Sequence, residues 1–311
     1  MQERTQDIYG RRSPWLAALL SFLMPGVGHV YGGKLVRGLI FAIIYGLAIP
    51  GALGLLACVG PAPTVWFGLL AVAATFGVVA AAVVDAYRLA VRTRLDYEPK
   101  AYNRPSVYLL IGLMIQGSSI GYGLHVRASL FEAFRVTAAS MYPTVGLDDR
   151  ILGNKTAYRR ADPQRGDIIL FHPPTGDWRS TYIKRIVAIG GDTVEIENDE
   201  VRVNGQKLSR ELAGPGAAVV DRAGKITQGR IYTEHNGPAE YRIFLADAGS
   251  ARESDFEGIT VPPHHCFVLG DARDNSLDSR HFGPIPDALI KGRVDYLYCP
   301  AGDWSRFGRL E

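Results

Sequence analysis

The stretch GLIFAIIYGLAIPGALGLLACVGPAPTVWFGLLAVAATFGVVAAAVV, Gly38 to Val84, contains no Asp, Glu, Lys or Arg. A charge placed at the centre of a bilayer costs about 2.5–3.5 kcal/mol, so segments that cross lipid shed charge and run for about 20 residues. A gap of this length fits two such segments. The run Cys58-Val59-Gly60-Pro61-Ala62-Pro63 breaks any helix, which divides the stretch into expected spans near 39–57 and 64–84. A third charge-free segment follows at 107–124, made more polar by Gln116, Ser118 and Ser119.

The flanking charges set an expected orientation. Lys34 and Arg37 precede the first span, and Arg88, Arg92, Arg94, Lys100 and Arg104 lie between the second and third. By the positive-inside rule both flanks face the cytoplasm, and the third span carries everything after about His125 to the far side. The segment 15–31 is apolar but interrupted by Pro25-Gly26-Val27-Gly28, and it reads as a re-entrant or interfacial helix. A full crossing there would place the N-terminus outside, against Arg11 and Arg12. A formal net charge of +3 is too small to indicate nucleic-acid binding. Three cysteines cannot build a disulfide framework; Cys266 and Cys299 would share one compartment, either bridged or as buried thiols.

Beyond His125 the sequence changes to short β-branched runs punctuated by Gly, Pro and Asp. Strands are expected at 168–172, 182–189, 193–196, 201–203, 265–269 and 294–298, with a hairpin at 198–200 and a turn at Asn204-Gly205. The region 208–261 loses these patterns and reads as an inserted subdomain. The expected architecture is an N-terminal α-helical membrane domain, 1–125, followed by a mainly-β domain, 126–311, with an insert near 208–261.

Three elements carry chemical interest. Ser140 lies in Phe134-Arg135-Val136-Thr137-Ala138-Ala139-Ser140-Met141-Tyr142-Pro143-Thr144, soon after the third span; alone, such a serine is more often structural. Lys184 lies in Tyr182-Ile183-Lys184-Arg185-Ile186-Val187, where strand alternation puts Ile183 and Arg185 on one face and Lys184 on the other with Tyr182 and Ile186. Its plain reading is a lysine snorkelling from a half-exposed strand. To act as a base it would have to be neutral, and at the reference pKa only about one lysine in 2,500 is neutral at pH 7. Full burial lowers that pKa by up to about 3–5 units, which makes a Ser–Lys pair workable without histidine. The third element, Gly270-Asp271-Ala272-Arg273-Asp274-Asn275-Ser276-Leu277-Asp278-Ser279-Arg280 and onward to Pro286, packs acids, bases and turn residues behind an apolar strand. A self-paired surface turn or a calcium loop are its alternatives, the latter lacking the usual ligand spacing.

Taken in order, Ser140-Met141-Tyr142-Pro143-Thr144, Arg165-Gly166-Asp167-Ile168-Ile169, Tyr182 to Arg185 through Gly191-Asp192, and Gly270 to Pro286 resemble the successive boxes of bacterial type I signal peptidases. The resemblance covers roughly 134–300 apart from the insert. It implies a serine protease with Ser140 as nucleophile, Lys184 as base, and Ser276 as a hydroxyl orienting the lysine amine. Asp278 and Arg280 become a supporting pair, with Asp271 in the same support. It further implies a multi-pass protein of the bacterial cell membrane with its catalytic domain outside the cytoplasm. The substrates would be preproteins bearing signal peptides, bound at the bilayer by strand addition, with no metal or organic cofactor.

The sequence departs from the family in two places. Ala138 stands where members often carry a serine or glycine, so a side-chain oxyanion donor is absent and the load falls on the Ser140 N–H with help from Thr137. Losing one such donor costs about 2.7–4 kcal/mol in other serine proteases. The stretch 13–38 has no counterpart in the simplest members, which have one or two spans. Two rivals remain: a self-cleaving repressor-type Ser–Lys peptidase, which the spans oppose, and a non-enzymatic membrane-anchored β module, which Ala138 favours.

Overall fold

Ser13 and Pro14 start the first helix in the way their chemistry dictates: the Ser13 hydroxyl accepts from the Leu16 N–H, and Pro14 occupies a first-turn position where no amide is needed. The computed structural model describes residues 12–59, 64–93, 102–159, 161–174, 180–247 and 255–310. Of the features expected from sequence, the turn residues Gly60 to Pro63 and the charges Arg11, Arg94 and Lys100 lie outside these. The chain divides into two compact units, Met1–Val126 and Arg127–Glu311.

The first unit is helical: α1 (Pro14–Leu23), α2 (Val27–Tyr31), α3 (Leu35–Val59), α4 (Thr64–Arg92) and α5 (Pro105–Ser129). At about 1.5 Å per residue, α3, α4 and α5 each exceed the roughly 30 Å of a hydrocarbon layer, whereas α1 reaches only about 15 Å. Among the described residues, Val72–Arg92 and Pro105–Ser129 are long and apolar enough to cross a membrane. The segment 15–31 is two short helices, because Gly26 adopts a φ of 100° between them.

The outer face of α1 shows Trp15, Leu19, Phe22 and Leu23, while Ala17, Ala18 and Ser21 are buried. That pattern inverts the one a helix shows in water. Small residues set the spacing: a Cβ on Gly26 would lie 2.1 Å from the Gly38 carbonyl oxygen, and one on Gly28 2.0 Å from that of Ala17. Inside this apolar bundle His29 is fully buried, with Nε2 2.9 Å from Asp85 Oδ2, and Arg37 donates to Asp85 Oδ1 at 2.7 Å. Ionisable groups in such surroundings pair with one another.

The second unit is β-rich. Its main sheet is antiparallel and holds β1 (Phe131–Arg135), β2 (Arg150–Asn154), β14 (Ile290–Cys299), β3 (Ile168–Phe171), β4 (Tyr182–Ile189), β12 (His265–Leu269) and β13 (Ile285–Pro286) in that spatial order, with β15 (Gly308–Arg309) on β14. A second sheet runs β11 (Phe256–Thr260), β5 (Thr193–Glu197), β6 (Glu200–Val203), β7 (Gln206–Lys207). A third consists of β10 (Ala239–Ala246), β9 (Ile226–Asn236) and β8 (Ser209–Val220). Short α6 (Ser279–Phe282) follows β12. The region 208–261 is thus far richer in strands than its composition indicates. Most of β8 is exposed, so it carries no apolar alternation to read, and β11, which follows the third sheet in the chain, pairs with β5 in the second.

The strand that carries Lys184 is covered on both faces, unlike the half-exposed strand expected. Ile183 packs with Ile168 and Leu170, whereas Ile186 packs with Ile169 and Phe171. Register places Lys184 opposite Ile169 and Arg185 opposite Ile168. Both Cys266 and Cys299 are free thiols, and the Cys266 thiol donates to Asp287 Oδ1 at 3.2 Å.

Gly26→Ala is expected to destabilise the helical unit by about 2 kcal/mol or more, through its positive φ and the contact with Gly38. Gly46→Ala, with open space around its Cβ, should leave stability unchanged or raise it. Thermal unfolding of the full chain in detergent, followed by circular dichroism, compares the two.

Candidate active site

Ser140 follows β1 in a tight turn that Tyr142 N closes on Ala139 O, and Val145 N on Met141 O. Met141 and Val145 are fully buried and anchor this turn in the core. Lys184 comes from β4, and its Nζ donates to Ser140 Oγ at 2.7 Å and to its neighbour's carbonyl, Ile183 O, at 2.9 Å. Ser140 is 8% exposed and Lys184 4%. Burial drives the Lys184 pKa down to about 8; Asp278 and Asp271 pull it back up, and Arg280 opposes them. At pH 7 about one amine in ten is then neutral, against about one in 2,500 for a free lysine. A neutral amine at this distance can take the serine proton.

The loop after β12 closes the site. Gly270 leaves room for no side chain: a Cβ there would lie 2.2 Å from Ser276 Oγ and 2.6 Å from the Ser140 carbonyl oxygen. That same carbonyl accepts from Ala272 N at 3.1 Å. Asp278, fully buried, accepts from Gly270 N at 3.0 Å and from both Nε and Nη2 of Arg280, and it caps α6. Burial would raise its pKa, but Arg280 and the Gly270 N–H hold it below the usual carboxylate range. Arg280 also donates to the Arg273 carbonyl at 2.6 Å. The bond expected from Ser276 to the lysine amine is absent here; the buried Ser276 Oγ has no partner of good geometry, though it stands near enough to Asp278 to help hold that carboxyl's pKa down.

Asp271 faces the other way. Arg185, the residue after Lys184, grips it with Nε at 2.9 Å and Nη2 at 2.8 Å; both side chains are 1% exposed. Thr144 donates to the same carboxylate at 2.5 Å, tying it to the Ser140 turn. Adjacent residues of β4 thus serve opposite faces, one cation buried against a hydroxyl and the other against a carboxylate.

Sequence reasoning gave no role to Arg185, Thr144, Arg273, Arg210, Tyr241 or Glu234. Fully buried Glu234 on β9 accepts from Arg210 Nε at 2.8 Å, Arg273 Nη1 at 2.9 Å and Nη2 in a shorter bond, and Tyr241 Oη at 3.0 Å. Burial would raise its pKa, yet Arg273 and Arg210 hold it at about 2. A single Glu in a polar strand, with Arg273 39 positions away, leaves no local signal.

An open cleft of about 510 Å³ leads to Ser140 and Lys184, with Phe134, Val136, Leu170 and Ile183 among its walls. The 134–138 segment forms one wall and the start of β4 another.

Residues 109–299 match the family described as signal peptidase, peptidase S26. A signal peptidase I from Pseudomonas aeruginosa is 32% identical over 267 residues, covering 74% of this chain and 91% of that one. Signal peptidase I T of Bacillus subtilis is 28% identical over 204 residues, 65% of this chain and 91% of its own. A solved signal peptidase I from Enterococcus faecalis aligns at 26% identity with a TM-score of 0.26, over 43% of this chain and 97% of that one. The chain belongs to the signal peptidase family S26, a family of serine endopeptidases.

The folded-state pKa of Glu234 lies below its unfolded value of about 4.5, so its contribution is complete above that value and is lost as pH falls toward 2. Roughly 3 kcal/mol of stability is expected to disappear over that window. Urea midpoints between pH 6 and pH 2 measure it, and Glu234→Gln should flatten the dependence. Gly270→Ala is expected to cut activity at least tenfold by displacing Ser276 and the Ser140 carbonyl; preprotein cleavage per folded molecule tests this.

Proposed function

We propose that this chain is a membrane-anchored signal peptidase that removes N-terminal signal peptides from exported preproteins, with Ser140 as nucleophile and Lys184 as general base. The observation that carries the proposal is the 2.7 Å contact between Lys184 Nζ and Ser140 Oγ in a buried setting. A structural lysine would be charged and paired with an acid. This one is held toward neutrality and points at a hydroxyl.

In the proposed cycle the preprotein lies extended in the cleft, and its scissile carbonyl approaches Ser140 Oγ. Lys184 takes the Oγ proton as the C–O bond forms, and the Ser140 backbone N–H faces the developing oxyanion. The protonated amine then gives its proton to the leaving nitrogen, releasing the mature protein and leaving the signal peptide esterified to Ser140. Water, deprotonated by Lys184, hydrolyses the ester. Asp278 with Arg280 and Asp271 with Arg185 hold the flanking loops; Ser276, beside Gly270, would bond the amine when Lys184 turns from Ser140 during the cycle.

The apolar helices of the first unit, in this proposal, anchor the enzyme in the bacterial cell membrane as a multi-pass protein. The half-length α1, with its outward Trp15 and Phe22, serves as the re-entrant segment. The second unit is the extracytoplasmic catalytic domain, and the β8–β10 sheet is its inserted subdomain.

With the purified full chain in detergent and a preprotein carrying an Ala-x-Ala site, Ser140→Ala and Lys184→Ala are expected to lose cleavage by on the order of a thousandfold or more. Because the neutral amine is the active form, kcat/KM should fall about tenfold per pH unit below an acid limb near pH 8. Retained cleavage by either variant, or none by the wild type on several preproteins, would favour the binding-module reading. Ala138→Ser should raise kcat severalfold if the missing hydroxyl limits oxyanion stabilisation; an unchanged kcat would show that the backbone donor suffices.

A further inference from the structure

The β8–β10 sheet grips the loop after β12 at several points and also touches the Ser140 turn and β4. Phe244 N on β10 donates to the Asp271 carbonyl at 2.8 Å and Phe244 bridges Ala272, while Ala246 N donates to Asp274 Oδ2 at 2.6 Å. The Phe244 ring meets Tyr142, two residues past Ser140, edge to face at 5.8 Å. The Arg185 guanidinium lies 4.2 Å over the Tyr241 ring, and Asn236 Nδ2 donates to Val187 O on β4 at 2.8 Å.

Glu234 sits at the centre of this grip. Through both its oxygens it holds Arg273, whose Nε reaches Gly270 O at 3.3 Å and whose carbonyl receives Arg280. Arg280 in turn holds Asp278, the acid whose charge bears most on the Lys184 amine. A buried carboxylate between two guanidinium groups is not the simplest filling for a core, since apolar side chains of similar volume often stabilise as well or better. What a charged bracket adds is fixed geometry. Here that geometry ends on Gly270, which touches both Ser276 and the Ser140 carbonyl and has no slack to absorb a shift.

We infer that Glu234 is a positioning residue for the reaction. Acting through Arg273, it clamps the Gly270–Asn275 segment against the Ser140 backbone and keeps water from the Lys184 amine. The inference rests on the Ser140–Lys184 reading above, and it assigns to the third sheet a part in the chemistry without any contact with substrate.

The test compares wild type, Glu234→Gln and Glu234→Asp as full chains in detergent, each normalised to folded protein. Glu234→Gln is expected to lower kcat at least tenfold with KM unchanged within twofold. The acid limb should move up by half a pH unit or more, because a loosened loop admits water and restores the amine's affinity for its proton. Glu234→Asp keeps the charge but not the reach, and it should share the kcat defect. A limb that moves down instead, as two uncompensated guanidinium groups would drive it by field alone, overturns the positioning role. So does rescue by Glu234→Asp, or a kcat and limb equal to wild type beside a lowered unfolding temperature.

Should the single variants misfold, the combined replacement Arg210→Met, Glu234→Leu and Arg273→Met removes the charges together, and kcat alone is then read: a loss of tenfold or more supports the positioning role, and a kcat within twofold of wild type overturns it. Titration of the Lys184 amine by NMR in 13C-lysine-labelled protein reports the limb without any substrate. A wild type that fails to cleave preproteins therefore sinks the proposed function, while an unshifted amine in Glu234→Gln sinks this inference.

Discussion

An amine kept out of water is the constraint on which the catalytic unit depends. A lysine in solvent at pH 7 is a cation and takes up no proton, and nothing in its covalent structure changes that. Packing on every side does most to shift the balance, and β4 supplies it by running between β3 and β12 with apolar clusters on both faces. Desolvation outweighs the opposing pull of Asp278 and Asp271, which stand close enough to favour the charged form. Their own charges are taken up elsewhere, by Arg280 and Arg185, so the lysine is left without an acid of its own. Each ion pair around the site therefore has a second meaning: it keeps a carboxylate occupied.

Those pairs are costly to build. Moving both partners out of water is repaid only when geometry is good and the remaining donors and acceptors are satisfied. Arg185 and Asp271 meet that condition with two short bonds, a bond from Thr144 and one from Arg185 Nη1 to Gly166 O at 2.8 Å. Arg280 and Asp278 meet it with a backbone N–H and a helix cap. The result is a set of loops from distant parts of the chain held in one arrangement, with glycine at the point of closest approach.

Much of this was readable in the residues, and the reasons for the remainder are physical. The charge gap from Gly38 to Val84 announces long apolar helices because charge is excluded there for an energetic reason that acts on every residue. The strands at 182–189 and 265–269 are dense in β-branched and aromatic residues and lie in the main sheet. By contrast, β8 is exposed on most of its length and shows no period, so the third sheet was legible only as a change in composition. Ser140 and Lys184 could be named as a pair by resemblance alone; neither run carries a sign of the other, and the 2.7 Å contact is a product of tertiary structure. Glu234 was invisible for the same reason, since its partners come from another strand and from a loop across the fold. The burial of Lys184 also overrode the plain expectation of a snorkelling side chain, because the strand lies inside the sheet and not at its edge.

The order Lys184-Arg185 on a strand with fixed register has one further consequence. An arginine cannot shed its proton in a protein, so a slip of one residue that brought Arg185 to the place of Lys184 would set a permanent cation beside Ser140 and turn the lysine to the other face of the strand. Before the sheet closes, the serine is an ordinary hydroxyl and the lysine an ordinary ammonium. On the proposed Ser140–Lys184 reading, the chain therefore stays inert until its fold seals the amine from water. On that reading, completion of the fold is itself the trigger.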